Sequence, residues 1–212
     1  MGAKTWMLVF ADTDVSEVLR SRAQLDHAAT LRLATSLFPK DELEPAGDGD
    51  LSYTNPPRNE LHIGCFPGVS IVAAKEFAID YPSKLPQRFI DAGGSGAVYL
   101  HAMISTVDWF AYAKWTNGRL VRSLSVCPDS GVMEDIGRRF PFEEPYWSGS
   151  HPVDDDDGDD AYPLPFHPLD LGEAALRELF GYQLEGFVDP ALIEPESVPL
   201  AIYKRSSRWK LW

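Results

Sequence analysis

Residues 97–136 constrain the fold of this chain more than any other stretch. Ala97–Ile104 and Thr106–Thr116 are rich in β-branched and aromatic residues, which suit a pleated, half-buried surface. Asn117-Gly118 follows, the strongest short-range hairpin signal, because both residue types accept the positive φ that a two-residue turn requires. Arg119–Val126 is then the return strand, Asp129-Ser130-Gly131 turns the chain again, and Val132–Ile136 continues the meander. Consecutive short connections of this kind join antiparallel neighbours.

The flanking segments extend the same pattern. Lys4–Ala11 (KTWMLVFA) is an apolar run without alternation, as expected of a central strand covered on both faces. Leu61–Phe66 and Val69–Ile79 read as two strands around the tight Pro67-Gly68 turn. Asp14-Val15-Ser16-Glu17 carries a capping oxygen with an acid three residues later, a helix start. Helical spacing continues to about Phe38 through Leu25, Ala28, Ala29, Leu33 and Leu37, with an interruption near Ser21–Gln24. Ser83–Ala92 reads as a short helix, and Asp170-Leu171-Gly172-Glu173 opens another that runs to about Leu184, with Gly186 as its stop. Asp41–Asn59 and residues 138–168 read as loops, and Val198–Tyr203 as a last edge strand.

These elements predict an α+β chain: one domain over residues 1–203, built on a mixed, mostly antiparallel sheet with helices packed on it. An acidic loop lies at about 150–162, and residues 204–212 form a basic aromatic tail with Lys204, Arg205, Arg208, Trp209, Lys210 and Trp212. The length of 212 residues suits one substantial core.

The formal net charge of −13 narrows the partners. Such a surface repels phosphate backbones and anionic headgroups, so neither nucleic acid nor membrane is expected as a partner, and basic partners become more plausible. Two cysteines, Cys65 and Cys127, give no disulfide framework and suit a reducing compartment. The first apolar run stops at Asp12, and no stretch approaches ~20 uninterrupted apolar residues. A cytoplasmic protein is the expectation.

Three groups of residues could carry chemistry. Asp12 and Asp14 follow the opening strand, where two carboxylates could hold Mg²⁺ and Asp12 could attack a phosphoryl group. The pattern resembles the first motif of haloacid-dehalogenase-type phosphatases, but Val15-Ser16 stand where that family places Gly-Thr. Helix capping by Asp14 accounts for the same residues. Arg122 is the second group. A plain two-residue turn sets Trp115 opposite Leu120, Ala113 opposite Arg122 and Ala111 opposite Leu124, which puts Arg122 on an apolar face. A buried guanidinium needs an internal carboxylate or an anionic ligand, whereas a bulge would turn it towards solvent. The third is the run Phe140-Pro-Phe-Glu-Glu-Pro-Tyr-Trp147, whose Phe142, Tyr146 and Trp147 either form a recognition patch or fold back over the sheet as a lid.

Other features argue against specific chemistries. The acidic run 154–160 is no EF-hand, because counting from Gly158 puts Val153 at the first ligand position and Leu164 at the last. His27, His62, His101, His151 and His167 have no paired metal spacing, although His62 and His101 could meet if their strands were neighbours. No metal centre and no cofactor are expected.

The opening MGAKTWMLVFADTD, the hairpin VDWFAYAKWTNGRLVRSLSV and the segment LGEAALRELFGYQLEG resemble an uncharacterised family of actinobacterial proteins. The resemblance covers most of the chain and implies a bacterial cytoplasmic origin, but it carries no assigned activity or catalytic residues. The expected function is therefore a non-enzymatic cytoplasmic binding or regulatory protein with an acidic surface. Its partner would be a protein or a small anionic ligand, bound through Arg122, Phe142, Tyr146 and Trp147. The alternative is a metal-assisted hydrolase of a phosphorylated substrate, with Asp12 and Asp14 at the metal and Arg122 as anion clamp.

Overall fold

The computed structural model describes residues 2–153, 162–187 and 189–207. The acidic run 154–160 and the tail from Arg208 onward lie outside the described residues. In chain order the elements begin β1 (Lys4–Ala11), α1 (Val15–Arg20), α2 (His27–Leu37), β2 (Asp41–Asp50), β3 (Glu60–Phe66), β4 (Val69–Ala73) and α3 (Gln87–Asp91). They continue with β5 (Ala97–Ile104), β6 (Trp109–Thr116), β7 (Arg119–Cys127), β8 (Gly131–Gly137), α4 (Glu144–Trp147), α5 (Pro168–Phe180) and β9 (Pro199–Ser207). Short 3₁₀ turns occupy Lys75–Phe77, Pro82–Lys84 and Pro195–Ser197.

The nine strands form one sheet in the order β2-β9-β3-β4-β1-β5-β6-β7-β8. Among the described residues every ladder is antiparallel, and the one parallel contact is an isolated bridge between Thr5 and Thr54. β1 is the middle strand of the nine, which explains its unbroken apolar run. Met7, Val9 and Ala11 enter one core, and Trp6, Leu8 and Phe10 the other. The first core lies under α1 and α5, with Val15, Leu19, Leu171, Ala175, Leu176 and Phe180 packed on Phe110, Tyr112, Leu124 and Val126. The second lies under α2 and α3, with Ala34, Leu37, Phe38, Phe89 and Ile90 over Ile63, Leu100, Ala111 and Trp115.

Glycine sets how close α5 comes to the sheet. A Cβ on Gly172 would stand 3.0 Å from the Met103 sulfur and 3.2 Å from the Phe110 ring. At that contact His101 bridges the two layers: its Nε2 lies 3.0 Å from the Gly172 carbonyl and its Nδ1 2.7 Å from Thr5 Oγ1. A carbonyl only accepts, so Nε2 carries the proton and Nδ1 accepts from the Thr5 hydroxyl. Complete burial of the ring depresses its pKa to about 4 and keeps it neutral.

Several expected boundaries move. The helix over 14–38 is indeed two helices, with Asp14 capping the first and Asp26 the second. Asp41–Asp50, expected as loop, is the edge strand β2 beside β9, so β9 is an interior strand and extends to Ser207. β4 ends at Ala73 rather than Ile79. α5 begins one turn earlier than the capping pattern indicates, with His167 accepting from the Leu169 amide, and it ends at Phe180 with Gly181 in the left-handed region at φ 82°. Gly181 needs that freedom as the C-cap residue.

Candidate binding cleft

The β6–β7 hairpin departs from the expected register through one residue. Trp115 pairs with Leu120, but Lys114 then pairs with Arg122 and Ala113 with Ser123, which leaves Val121 as the extra residue of a bulge. Arg122 is thereby turned to the face of Tyr112 and Leu124, not to that of Ala111 and Ala113. That face is not solvent, because the segment after β8 covers it. Arg122 is 0% exposed, so the expectation that a bulge would bring it to water is corrected.

The covering segment supplies its counter-charge. Arg122 Nε donates to Glu143 Oε1 at 3.0 Å and Nη2 to Oε2 at 2.6 Å, while Nη1 reaches Asp135 Oδ1 at 2.5 Å and the Ile136 carbonyl at 3.0 Å. Glu143 also accepts from the Tyr112 hydroxyl at 2.5 Å and the Phe140 amide at 2.7 Å. Burial opposes the guanidinium charge, but the bonds and charge of Glu143 outweigh it and raise the Arg122 pKa. Burial, reinforced by the neighbouring carboxylate, raises that of Tyr112. With its donors engaged by internal acceptors and its side chain 0% exposed, Arg122 has the role of a structural anchor.

The aromatic run is the lid that this anchor holds. Phe140 and Phe142 approach Tyr112 at 6.3 and 6.0 Å between centroids, and Tyr146 and Trp147 meet Phe166 edge-on at 5.8 and 4.9 Å. Tyr146 is buried, and Phe142 and Trp147 are half-buried against the first core. Of the two arrangements the sequence allows, the structure has the folded-back one.

Asp12 and Asp14 do not join Arg122. β5 and β6 separate β1 from β7, so three strand spacings of ~4.8 Å put the backbones about 14 Å apart. Asp14 is an N-cap: its Oδ1 accepts from the Glu17 amide at 2.8 Å and from Ser16 Oγ at 2.9 Å, and those bonds lower its pKa. Asp12 lines a cavity of about 210 Å³ with Phe10, Leu33 and Gly93. The convergence that the hydrolase reading needs is not present. His62 and His101 also stay apart, since β4 and β1 lie between their strands. Both cysteines are buried free thiols.

A further cavity is one the sequence does not announce. About 620 Å³ lies between the end of α1 and the chain that follows α5, from Gln183 to Ser197. Leu19, Leu184, Leu192 and Ile193 give it apolar walls, of which Leu19 and Ile193 belong to the first core. Exposed carboxylates of Glu185, Asp189, Glu194 and Glu196 line it against two cations, Arg20 and Arg22. Arg20 is partly used, since its Nη1 donates to the Ala191 carbonyl at 2.5 Å and ties α1 to this segment. Phe187, in the same segment, is 91% exposed. Volumes of roughly 300–1,000 Å³ with apolar walls and a few polar groups are typical of ligand sites.

One group in this region is electrostatically unusual. Glu173 of α5 accepts from the Leu184 amide at 2.8 Å through Oε2, while its buried Oε1 has no hydrogen-bond partner. Burial pushes its pKa up to about 7, the charge of Glu185 adds to that, and the amides of Leu184 and Glu185 and the Arg177 charge oppose it.

The pattern defining DUF6928, a family of unknown function, matches residues 5–203 of the chain, from within β1 to within β9. The chain belongs to the DUF6928 family. No curated protein and no solved structure matches it. The matched range contains the Arg122 anchor, every residue of the cleft and all of both cores except Ala3. Among the described residues no group of three or more His, Cys, Asp or Glu side chains is placed to hold a metal ion. Among the described residues no helix is long and apolar enough to cross a membrane.

Proposed function

We propose that this member of the DUF6928 family is a non-enzymatic cytoplasmic binding or regulatory protein, and that its cleft receives a basic segment of a partner protein. The observation that carries the reading is the cleft of about 620 Å³ with apolar walls and four carboxylates against two arginines. A lysine- or arginine-bearing segment matches it in both respects: the apolar walls take side-chain stems, and the carboxylates take the charged heads. The net charge of −13 acts in the same direction at longer range by drawing cationic partners in. Two buried free thiols suit a reducing cytoplasm. An anionic ligand has lost its main support, because the guanidinium of Arg122 is engaged by Glu143 and Asp135.

The test is calorimetric titration of the whole chain with an amidated hexapeptide of alternating lysine and leucine. Saturable one-to-one binding, weakened by added salt and by the Glu194→Lys/Glu196→Lys double variant, is the expected result. Absence of binding, or binding that the double variant leaves unchanged, would overturn the reading.

A further inference from the structure

One attachment of the cleft wall to the body of the protein is a carboxyl group. α5 ends at Phe180, Gly181 reverses the chain in the left-handed region, and the segment that follows supplies Gln183, Leu184, Glu185 and Gly186 to the cleft. The Leu184 amide is held by Glu173 Oε2 at 2.8 Å, across the reversal from α5. The other oxygen of the same carboxyl, Oε1, is buried without a partner. A buried oxygen in that state is tolerable on a neutral carboxyl and costly on an ionised one.

We infer that Glu173 is a proton-operated latch on the cleft wall: neutral, it holds the segment from Gln183 to Gly186 against α5, and ionised, it turns to water and lets that segment go, while Tyr182 stays in the core. The proton moves between the carboxyl and solvent, and no other group is consumed. The inference rests on the cleft being the binding site, and it adds the condition under which that site is formed. The titratable and charged groups around Glu173 are Arg177 on its own helix, Tyr182 in the core beside it and Glu185 on the segment it holds. Glu185 raises the proton affinity of Glu173 and Arg177 lowers it. Burial first, and then the nearby carboxylate, keep Tyr182 un-ionised throughout. Glu173 is therefore the member of the group that changes charge near neutrality, since its pKa lies at about 7.

Gly181 stays fixed, its carbonyl accepting from the Ile193 amide at 2.9 Å, and the segment that moves is already exposed from Glu185 to Phe187. Release would remove Leu184 and Glu185 from the wall while leaving Leu19 and Ile193 in the core.

The experiment is a pH titration of the ¹⁵N-labelled full chain, following the Leu184 amide resonance from pH 5.5 to 8.5. The expected result is a shift with a midpoint near 7, abolished in Glu173→Gln and moved to lower pH in Glu185→Gln. A Leu184 resonance that is flat in the unsubstituted protein, or that titrates unchanged in Glu173→Gln, would overturn the latch. Hydrogen exchange on the unsubstituted protein covers the case of a variant that does not fold. Protection of the 183–187 amides, corrected for intrinsic base catalysis, should fall about tenfold between pH 6 and 8, and constant protection sinks the inference. The lysine–leucine hexapeptide separates the two readings. A titrating Leu184 amide without peptide binding at any pH overturns the cleft reading alone, and a bound peptide with a flat Leu184 amide overturns the latch alone.

Discussion

Arg122 on β7 and Glu143, just ahead of α4, form a two-point ion pair with neither side chain exposed. The pair joins the sheet to the segment that covers it, and the Tyr112 hydroxyl and Phe140 amide complete the coordination of the carboxylate. Its bulge-dependent register makes it specific to one alignment of the hairpin.

Removing either partner leaves a charge buried without its counterpart. Glu143→Gln and Arg122→Met are each expected to lose about 3–5 kcal/mol of stability in urea unfolding. The double variant Arg122→Met/Glu143→Leu should recover much of that loss, because it buries no unpaired charge. Additive losses would show that the pair is not a coupled unit.

The rings held by this pair belong to the core. Phe142→Ala, Tyr146→Ala and Trp147→Ala combined should abolish cooperative unfolding, since each truncation of a well-buried aromatic costs about 3–5 kcal/mol and the half-buried ones somewhat less. A folded triple variant with an unchanged melting temperature would contradict the lid arrangement.

Gly172 sets the spacing between α5 and β5–β6. Gly172→Ala gains helix propensity but forces the new methyl to 3.0 Å from the Met103 sulfur. The expected net loss is about 1–3 kcal/mol. It should be accompanied by a weakened His101–Gly172 bond, visible as a further fall in the His101 pKa by NMR, because that bond favours the protonated ring. A gain in stability would mean that the helix can shift away.

Two buried groups give stability opposite dependences on pH. The folded pKa of His101, about 4, lies below its ordinary 6.5, so its contribution is intact above 6.5 and is lost as the pH falls towards 4. The folded pKa of Glu173, about 7, lies above its ordinary 4.5. Its contribution is intact below 4.5 and is lost as the pH rises through 7. Each shift corresponds to about 3 kcal/mol at most, so the two largely offset between pH 4.5 and 6.5. Glu173→Gln should stabilise the protein at pH 8 and expose a steady loss of stability on acidification below 6.5. Chemical unfolding across that range measures both, and a variant with the parental pH profile would contradict the assignment.

Phe187 offers a control for the cleft. At 91% exposure it contributes little to the fold, so Phe187→Ser should change unfolding free energy by less than about 0.5 kcal/mol. If the exposed ring contacts the bound segment, peptide affinity falls several-fold in the same variant. Loss of stability rather than affinity would remove Phe187 from the site.

The strands that sequence reasoning places best are those whose pattern is local. β5 is read to the residue and the Asn117-Gly118 turn sits where expected, because turn chemistry and β-propensity act within a few positions. β2 is missed for the opposite reason. DELEPAGDGD has the composition of a loop, and it becomes a strand through pairing with β9, 149 to 166 residues away in the chain, with only light burial of its own side chains. The depth of Arg122 is readable as a question, a guanidinium among apolar neighbours, but Val121 gives no sign of the bulge that answers it. The cleft is the least legible feature. Its parts come from the end of α1 and from a Pro- and acid-containing stretch that carries no periodicity.

The two margins of the sheet are unequal. β2 carries Pro45, a register break next to Gly47 and carboxylates at Asp41, Glu42, Glu44, Asp48 and Asp50, a combination that deters a further strand from docking. β8 is shorter and shows Val132 and Ile136 to solvent. Among the described residues, growth of the sheet by strand addition therefore has one open end. Two copies joined there would close each other off, so this architecture tolerates a pair and resists a fibre.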